Sequence, residues 1–209
     1  MLPSESIRNH SAGRSTPETP CLSVDSSFTE IEVWAEASGW DLDFRQLSAG
    51  RLNGRVRVLT GAHCTAMRVD LNQAYHQVGQ VSPDRLAFGL PHPSCGEFNW
   101  CRSRVEGGDI LNFNQEGGFD GTSGKSFSGC ALSFERKSLE ELAELLDLRV
   151  NLDELSHCGG TLSKASEETE RLRAQFALAF QRASKRASDG PLEASSLLGT
   201  GAAESILRL

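Results

Sequence analysis

The sequence lacks any long apolar run, and this absence limits where the chain can reside. A bilayer-spanning helix needs about 18 or more apolar residues in succession, and no such stretch occurs. A secretory signal peptide has an apolar core of about 7 to 15 residues after a basic start, and the amino terminus has none. We therefore expect a cytoplasmic protein that does not contact a membrane.

Positive charge is also scarce. The chain has 21 Lys and Arg residues against 28 Asp and Glu residues, which gives a formal net charge of −7. Proteins that bind nucleic acid gain affinity when basic side chains displace counterions from the phosphates. We therefore do not expect this polypeptide to bind DNA by itself.

Paired cysteines are missing as well. None of the six cysteines belongs to a Cys-x-x-Cys pair, and without an export signal the expected state is the reduced thiol. His92, Cys95 and Cys101 could surround zinc only with a fourth ligand at close spacing, because closed zinc sites are tetrahedral. Partly buried thiols explain these cysteines better, so the sequence predicts no metal site and no cofactor.

A glycine-rich run, Gly117 to Phe127, includes Gly124-Lys125-Ser126, which copies the end of a phosphate-binding loop. That loop needs glycine where Phe119 stands, and Gly118 lies one residue too far back. The loop should also open a helix, whereas residues 127–134 are small, aromatic and typical of a strand. A turn is therefore favoured over a nucleotide site.

The chain divides into three regions by composition and periodicity. Residues 1–27 are rich in Ser, Thr and Pro without an apolar stripe, and they predict a flexible polar arm. Residues 28–135 contain short extended segments separated by Gly, Asn and Pro, without intervening helices. These segments span residues 40–46, 52–58, 67–71, 75–81, 85–90, 98–105, 109–113 and 127–134. Such a series predicts an antiparallel sandwich or barrel.

Helical periodicity begins after this region and covers residues 136–209. Ser138 and Glu141 form a capping box for a helix that ends near Leu148, and a longer helix is predicted from about residue 166 to 187. A weaker helical pattern follows to Leu209. The longer helix has one apolar stripe: Leu172, Phe176, Ala179, Phe180 and Ala183. This stripe either packs onto the chain's own barrel or forms a dimer contact with a second copy.

Several motifs, in their order along the chain, resemble the amino-terminal sensor domain of AraC-type transcriptional regulators. They are residues 39–54, 72–79, 88–91, 108–111 and 117–120 with 132–134, and the resemblance covers roughly residues 28 to 150. It implies an α+β fold, in which a mainly antiparallel cupin-like β-barrel over residues 28–135 precedes a helical dimerisation and linker segment over 136–209. The barrel would bind a small-molecule effector or receive another signal, and the protein would be a homodimer.

In that family, a carboxy-terminal domain with two helix-turn-helix motifs binds DNA. No basic pair of helices occurs in this sequence. The resemblance therefore implies that DNA is bound only through a domain that this sequence does not contain.

Two other functions stay open. A cupin-fold metalloenzyme would hold its metal through a His-x-His pair, a carboxylate and a later His, whereas His63, His76 and His92 are isolated. Asp109 and Asp120 flank turns, where carboxylates commonly cap local amides. The sequence thus predicts no catalytic residue and no enzyme. A metalloenzyme or another small-molecule-binding protein is the alternative, and a third is a barrel that dimerises and senses only through partner proteins.

A candidate effector site follows from the alternation of residues 40–46. Trp40, Phe44 and Gln46 share one strand face, so an inward-facing strand would place one polar group among aromatic rings. On the same logic Phe88, Phe98 and Trp100 are candidate ligand-binding residues. The alternative is that Gln46 bonds to neighbouring backbone inside a filled core, since small barrels are commonly packed solid.

Overall fold

The structure is a computed structural model that describes residues 21–61, 64–105, 109–113, 117–157, 160–162, 167–189 and 200–208. In these ranges the chain forms eleven strands and five helices. The strands are β1 (Cys21–Phe28), β2 (Asp41–Gln46), β3 (Gly54–Thr60), β4 (Cys64–Leu71), β5 (Tyr75–Gln80), β6 (Arg85–Pro91), β7 (Phe98–Trp100), β8 (Ser103–Arg104), β9 (Leu111–Asn112), β10 (Phe119–Ser123) and β11 (Phe127–Glu135). The helices are α1 (Glu32–Ser38), α2 (Arg136–Leu145), α3 (Leu152–His157), α4 (Glu167–Asp189) and α5 (Thr200–Leu207).

The strands form two antiparallel sheets. One has six strands in the order β1-β3-β4-β11-β6-β9, and the other has five in the order β2-β5-β10-β7-β8. Strands of both sheets contribute to one apolar core, which includes Val56 and Val69 from the first sheet and Phe98, Trp100 and Phe119 from the second. The α+β class is confirmed. A closed cupin barrel is not confirmed, because no ladder in the described residues joins the two sheets.

Alternating patterns in the sequence place the first strands correctly. In β2 the half-buried residues alternate with exposed ones, so that Leu42 and Phe44 face the core and Asp41 and Asp43 face solvent. The predicted hairpin also forms, since β3 pairs with β4 from Gly54 opposite Leu71 to Thr60 opposite Thr65.

The outer face of the six-stranded sheet is covered by helices. Leu86, Phe88 and Leu90 alternate along β6 and pack with Leu132 of β11 against α2, α4 and α5. Strands β6 and β11 therefore carry apolar side chains on both faces, as expected for strands covered on both sides. No helix in the described ranges has the length and apolar content needed to cross a bilayer.

Three segments differ from the sequence predictions. Residues 21–27 belong to β1, which pairs with β3, rather than to the predicted polar arm, and residues 1–20 lie outside the described residues. Helix α1 forms where only extended segments were expected, and it ends at Gly39, whose φ of 66° suits glycine. Strand β10 lies inside the glycine-rich run that was predicted to be a turn.

The capping box was also placed wrongly. Helix α2 begins at Arg136, with Glu135 as its N-cap, so Ser138 lies inside the first turn. The Ser138 hydroxyl donates to the Glu135 carboxylate at 3.3 Å. The strand β11 runs directly into the helix, which leaves no residues for a separate cap. The predicted helix over residues 166–187 is confirmed as α4, and part of the helical tail is confirmed as α5.

Candidate functional site

A small cavity of about 30 Å³ lies between the two sheets. Its walls are mostly apolar and include six aromatic residues: Trp34, Trp40, Tyr75, Phe98, Phe113 and Phe127. Sites for drug-sized ligands usually measure roughly 300 to 1,000 Å³. The interior is therefore nearly filled, and any ligand larger than a few atoms would have to widen it.

The aromatic rings around this interior cavity hold one another in place. Trp34 stacks on Phe44 with ring centroids 4.3 Å apart, and it meets Tyr75 edge-on at 5.1 Å. Tyr75 in turn meets Phe127 edge-on at 5.2 Å. Edge-on and offset contacts of this kind stabilise aromatic pairs beyond their burial. Trp34 comes from α1, whereas Tyr75 and Phe127 come from β5 and β11, so the rings around the cavity join a helix to both sheets.

Two polar atoms at the cavity wall have no hydrogen-bond partner among the described residues. They are the hydroxyl of Tyr75 and the indole Nε1 of Trp34, and both side chains are buried. Trp100 shows the usual arrangement, since its Nε1 donates to the carbonyl of Asn112 at 3.1 Å. A buried donor without a partner costs on the order of 1 to 3 kcal/mol. An acceptor on a bound molecule would remove that cost.

The remaining chemistry of the interior cavity is neutral. Burial raises the pKa of Tyr75 well above its ordinary value, and the nearby Cys95 raises it further, so the phenol stays protonated. Gln77 lies two residues further along β5 and lines the same cavity. The cavity thus offers neutral hydrogen-bonding groups among apolar rings, and a charged ligand would lose its hydration without compensation.

Four of the predicted site residues lie at or behind this cavity. Trp40 and Phe98 line it. Phe44 lies behind Trp34, and Trp100 lies behind Phe113 with ring centroids 4.7 Å apart. These four support the aromatic wall.

Two predicted residues lie elsewhere. Gln46 bonds to neighbouring backbone, with its Nε2 donating to the carbonyls of Ser48 at 2.5 Å and Gly50 at 2.9 Å, as the alternative for this residue required. Phe88 lies on the helix-covered face of β6, because alternate residues of a strand point to opposite sides.

Sequence reasoning missed Trp34, Tyr75, Gln77 and Phe113. A signal existed for two of them, because Tyr75 and Gln77 alternate on the predicted segment 75–81. Trp34 gave no such signal, since its position depends on the unpredicted helix α1.

The candidate dimer stripe on α4 is buried within the chain. Leu172, Phe176, Ala179 and Phe180 are each at most 5% exposed, and Ala183 packs against the same cluster. This is the first of the two arrangements that the sequence left open. A dimer contact through these side chains would require α4 to leave its own sheet, so a second copy would have to contact another surface.

The residues considered for a metal ion are engaged in other contacts. His76 Nε2 lies 3.1 Å from an Asp120 carboxylate oxygen, and His92 Nδ1 lies 2.6 Å from the Ser94 hydroxyl. Asp120 therefore pairs across two strands instead of capping a local amide, and His63 lies outside the described residues. Within the described ranges, no three His, Cys, Asp or Glu side chains come together as metal ligands would.

The cysteines with described side chains have the chemistry of buried thiols. No disulfide links Cys64, Cys95, Cys101 or Cys130. Burial raises the pKa of Cys64 to about 11 and that of Cys130 to about 11. These thiols are protonated at neutral pH and are poor nucleophiles.

The sequence that resembles a phosphate-binding loop is a strand connection. Lys125 is exposed in the turn between β10 and β11, and Gly124 N donates to the Glu97 carbonyl at 2.6 Å. The segment that follows is strand β11 and not a helix. The helix amino terminus that would bind a phosphate is therefore missing at this place.

No protein-family model matches the sequence, and no curated protein matches it. Among solved structures, the AraC-like transcriptional activator CuxR is similar with a TM-score of 0.54 and 10% identity. The similarity covers 88% of this chain and 69% of CuxR. At that identity the likeness shows the fold alone, so this chain shares its fold with an AraC-like transcriptional activator.

Vicilin from hazelnut (Corylus avellana) is a more distant neighbour. It has 16% identity and a TM-score of 0.28, over 69% of this chain and 50% of vicilin. A TM-score that low carries no argument about fold or function.

Proposed function

We propose that this chain is the effector-sensing and dimerisation part of an AraC-type transcriptional regulator that acts in the cytoplasm. Its two sheets would correspond to the cupin-like barrel of such regulators, and DNA would be bound through a helix-turn-helix domain outside this sequence. The proposal is supported by the fold shared with CuxR and by the motifs along residues 28 to 150. It includes a homodimer and assigns the chain no reaction of its own.

One observation carries the sensing role. The Tyr75 hydroxyl and the Trp34 indole N–H are buried donors at one cavity wall, and neither has a partner among the described residues. A core that served only packing would gain stability from apolar atoms at these positions. The two donors are suited to a ligand that presents a hydrogen-bond acceptor.

The surroundings of these donors define the ligand class. The cavity is lined by apolar side chains and aromatic rings, with Gln77 as a further neutral polar group. A neutral molecule with an apolar body and one carbonyl or ether oxygen therefore fits the chemistry. A charged effector does not, because the cavity wall carries no opposite charge to replace its hydration.

The small volume of the interior cavity indicates how an effector would act. An effector must widen the cavity, so it binds an open arrangement better than the closed one in this structure. It then shifts the equilibrium between them by its difference in affinity for the two states. Helix α1 is the wall element outside both sheets, and movement of Trp34 away from Phe44 and Tyr75 would enlarge the cavity. An attached DNA-binding domain would respond to that change.

Cyclohexanone is a suitable first probe, since it combines a small apolar ring with one carbonyl acceptor. A ligand that binds the folded state raises the melting temperature by mass action. We expect cyclohexanone to raise it more than methylenecyclohexane, which has nearly the same shape without the oxygen. The Tyr75→Phe variant should bind cyclohexanone roughly threefold to tenfold more weakly, as expected for one lost hydrogen bond.

The contrary result is an unchanged melting temperature at millimolar cyclohexanone, or equal responses to the ketone and the hydrocarbon. Equal responses would mean that the two donors play no part in recognition.

A further inference from the structure

A second concave site lies outside the sandwich, between α4 and the outer face of the six-stranded sheet. This outer groove has a volume of about 370 Å³, which is within the usual range for small-molecule sites. Its lining includes the apolar side chains of Leu90, Phe176 and Phe180. It also includes two basic side chains, Arg68 of β4 and Arg173 of α4.

Arg173 is the unusual residue of the outer groove. Its side chain is only 14% exposed, and it makes one hydrogen bond, from Nη1 to the carbonyl of Pro91. Its Nε and Nη2 are buried and have no hydrogen-bond partner among the described residues. Glu170 forms an ion pair with Arg173, but its carboxylate oxygen lies 3.7 Å from Nε, beyond hydrogen-bond distance, and its side chain is 64% exposed.

The other charges near the groove do not neutralise Arg173. Asp70 accepts a hydrogen bond from the Ser128 hydroxyl at 2.6 Å. The same carboxylate lies 3.4 Å from Arg68 and 3.7 Å from Arg57. One carboxylate is thus shared by two guanidinium groups, and Arg57 also lies over the Phe180 ring at 5.6 Å. With Arg173 paired to the largely exposed Glu170, three guanidinium groups meet two carboxylates here, so this region has an excess of positive charge.

A largely buried guanidinium is destabilising when two of its nitrogen atoms have no hydrogen bond among the described residues. Buried charges in proteins are normally paired and hydrogen-bonded, because they lose the hydration that they have in water. The planar fork of Arg matches the two oxygens of a carboxylate, which it binds through parallel hydrogen bonds. The apolar wall beside Arg173 can cover a hydrocarbon body at the same time.

We propose that the outer groove binds a small organic anion, namely a carboxylate with a compact apolar or aromatic body. Arg173 pairs with the carboxylate and Arg68 adds positive charge. Phe176, Phe180 and Leu90 contact the apolar body. This site has basic side chains that the interior cavity lacks and differs from it in ligand class, so it does not depend on the sensing role proposed above.

Benzoate tests this proposal, with benzamide as the neutral control of the same shape. Isothermal calorimetry on the whole chain should show one benzoate bound per chain, and benzamide should bind at least roughly tenfold more weakly because it lacks the charge. The Arg173→Met variant should lose benzoate binding. The same substitution at exposed Arg182, on the same helix but not part of the groove, should leave the affinity unchanged.

Two further variants separate a binding role from a structural one. Glu170→Gln should tighten benzoate binding several-fold, because it removes the competing negative charge at the groove. Tyr75→Phe should leave benzoate affinity unchanged, because it alters only the interior cavity. In buffer without organic anions, Arg173→Met should hardly lower the melting temperature, since among the described residues the guanidinium makes one hydrogen bond and one ion pair with a largely exposed carboxylate.

The proposal is overturned by a flat titration with benzoate, or by equal benzoate affinities for the original chain and the Arg173→Met variant. A large drop in melting temperature for Arg173→Met in anion-free buffer would also overturn it, because the charge would then already be satisfied within the protein.

Discussion

The interior cavity and the outer groove lie on opposite faces of the same six-stranded sheet, yet they differ in size and in chemistry. The interior measures about 30 Å³ and offers neutral donors from Tyr75 and Trp34. The groove measures about 370 Å³ and offers the guanidinium of Arg173. In both places a buried polar group lacks a hydrogen bond among the described residues, but only the groove has a volume within the usual range for small-molecule sites.

This difference follows from what packs on each face. Facing sheets bring rows of side chains together, and in this chain aromatic rings fill the space between them. Helix α4 instead packs as a cylinder on the outer face of the six-stranded sheet, and a groove remains between the helix and the sheet. A binding site on the inner face must therefore open, whereas the space beside the helix is already present.

The largest change in stability is expected when the packing that holds α4 on the sheet is removed. Phe176 is 1% exposed, and Phe176→Ala should lower the free energy of unfolding by about 3 to 5 kcal/mol, the usual cost of removing a buried aromatic ring. Urea unfolding measures this change.

Measuring the stability loss at several protein concentrations separates the two roles of the apolar stripe on α4, which are packing within the chain and contact with a second copy. The loss should be the same at all concentrations if Phe176 packs within its own chain, and a dependence on concentration would favour the dimer contact. Leu145 is 81% exposed on α2, so Leu145→Ala serves as a control and should change stability by no more than about 0.5 kcal/mol.

An intermediate change in the free energy of unfolding is expected for a substitution between the two sheets. Tyr75→Phe removes a buried hydroxyl without a partner and keeps the ring, so it should raise the free energy of unfolding by about 1 kcal/mol in the absence of ligand. Urea unfolding at neutral pH measures it. A loss of stability of similar size would show that the hydroxyl has a hydrogen-bond partner after all.

The smallest effect concerns an ion pair that lies outside both sites. Arg55 donates to both carboxylate oxygens of Asp25 at 2.8 Å, and these hydrogen bonds lower the Asp25 pKa. The folded pKa is then below the unfolded one, so the pair stabilises the protein above the unfolded pKa. This contribution disappears as the pH falls through the folded pKa.

Because both side chains are partly exposed, Asp25→Asn should cost only about 0.5 kcal/mol at neutral pH. The variant and the original chain should become equally stable in acid below the folded pKa. A stability difference that persists there would mean that Asp25 acts through packing of β1 on β3 and not through its charge.

Much of the fold was predictable because it depends on local patterns. The alternation in β2 and in the hairpin of β3 and β4 reflects one buried and one exposed side, and the stripe on α4 reflects one buried face. The glycine-rich run misled the prediction at β10. Gly121 there lies under Trp100, where an added Cβ would come within 2.6 Å of the ring. That glycine serves close packing in a strand and not a turn.

The sites were less predictable, because each one is made by distant parts of the chain. Of the candidate ligand-binding residues, Trp40 and Phe98 line the interior cavity, whereas Phe88 lies on the helix-covered face of β6. Trp34 reaches the cavity from a helix that gave no clear signal. The outer groove joins Arg173 of α4 to Pro91 of β6, and no pattern within either segment predicts that contact.

The indole N–H signals of the three tryptophans test the sensing role most directly. Upon addition of cyclohexanone, the Trp34 N–H proton resonance should move downfield, because it gains an acceptor that it lacks in the free protein. The Trp100 signal should hardly move, since its N–H already donates to Asn112 at 3.1 Å. A Trp34 signal that stays in place at saturating cyclohexanone would contradict an effector site between the sheets.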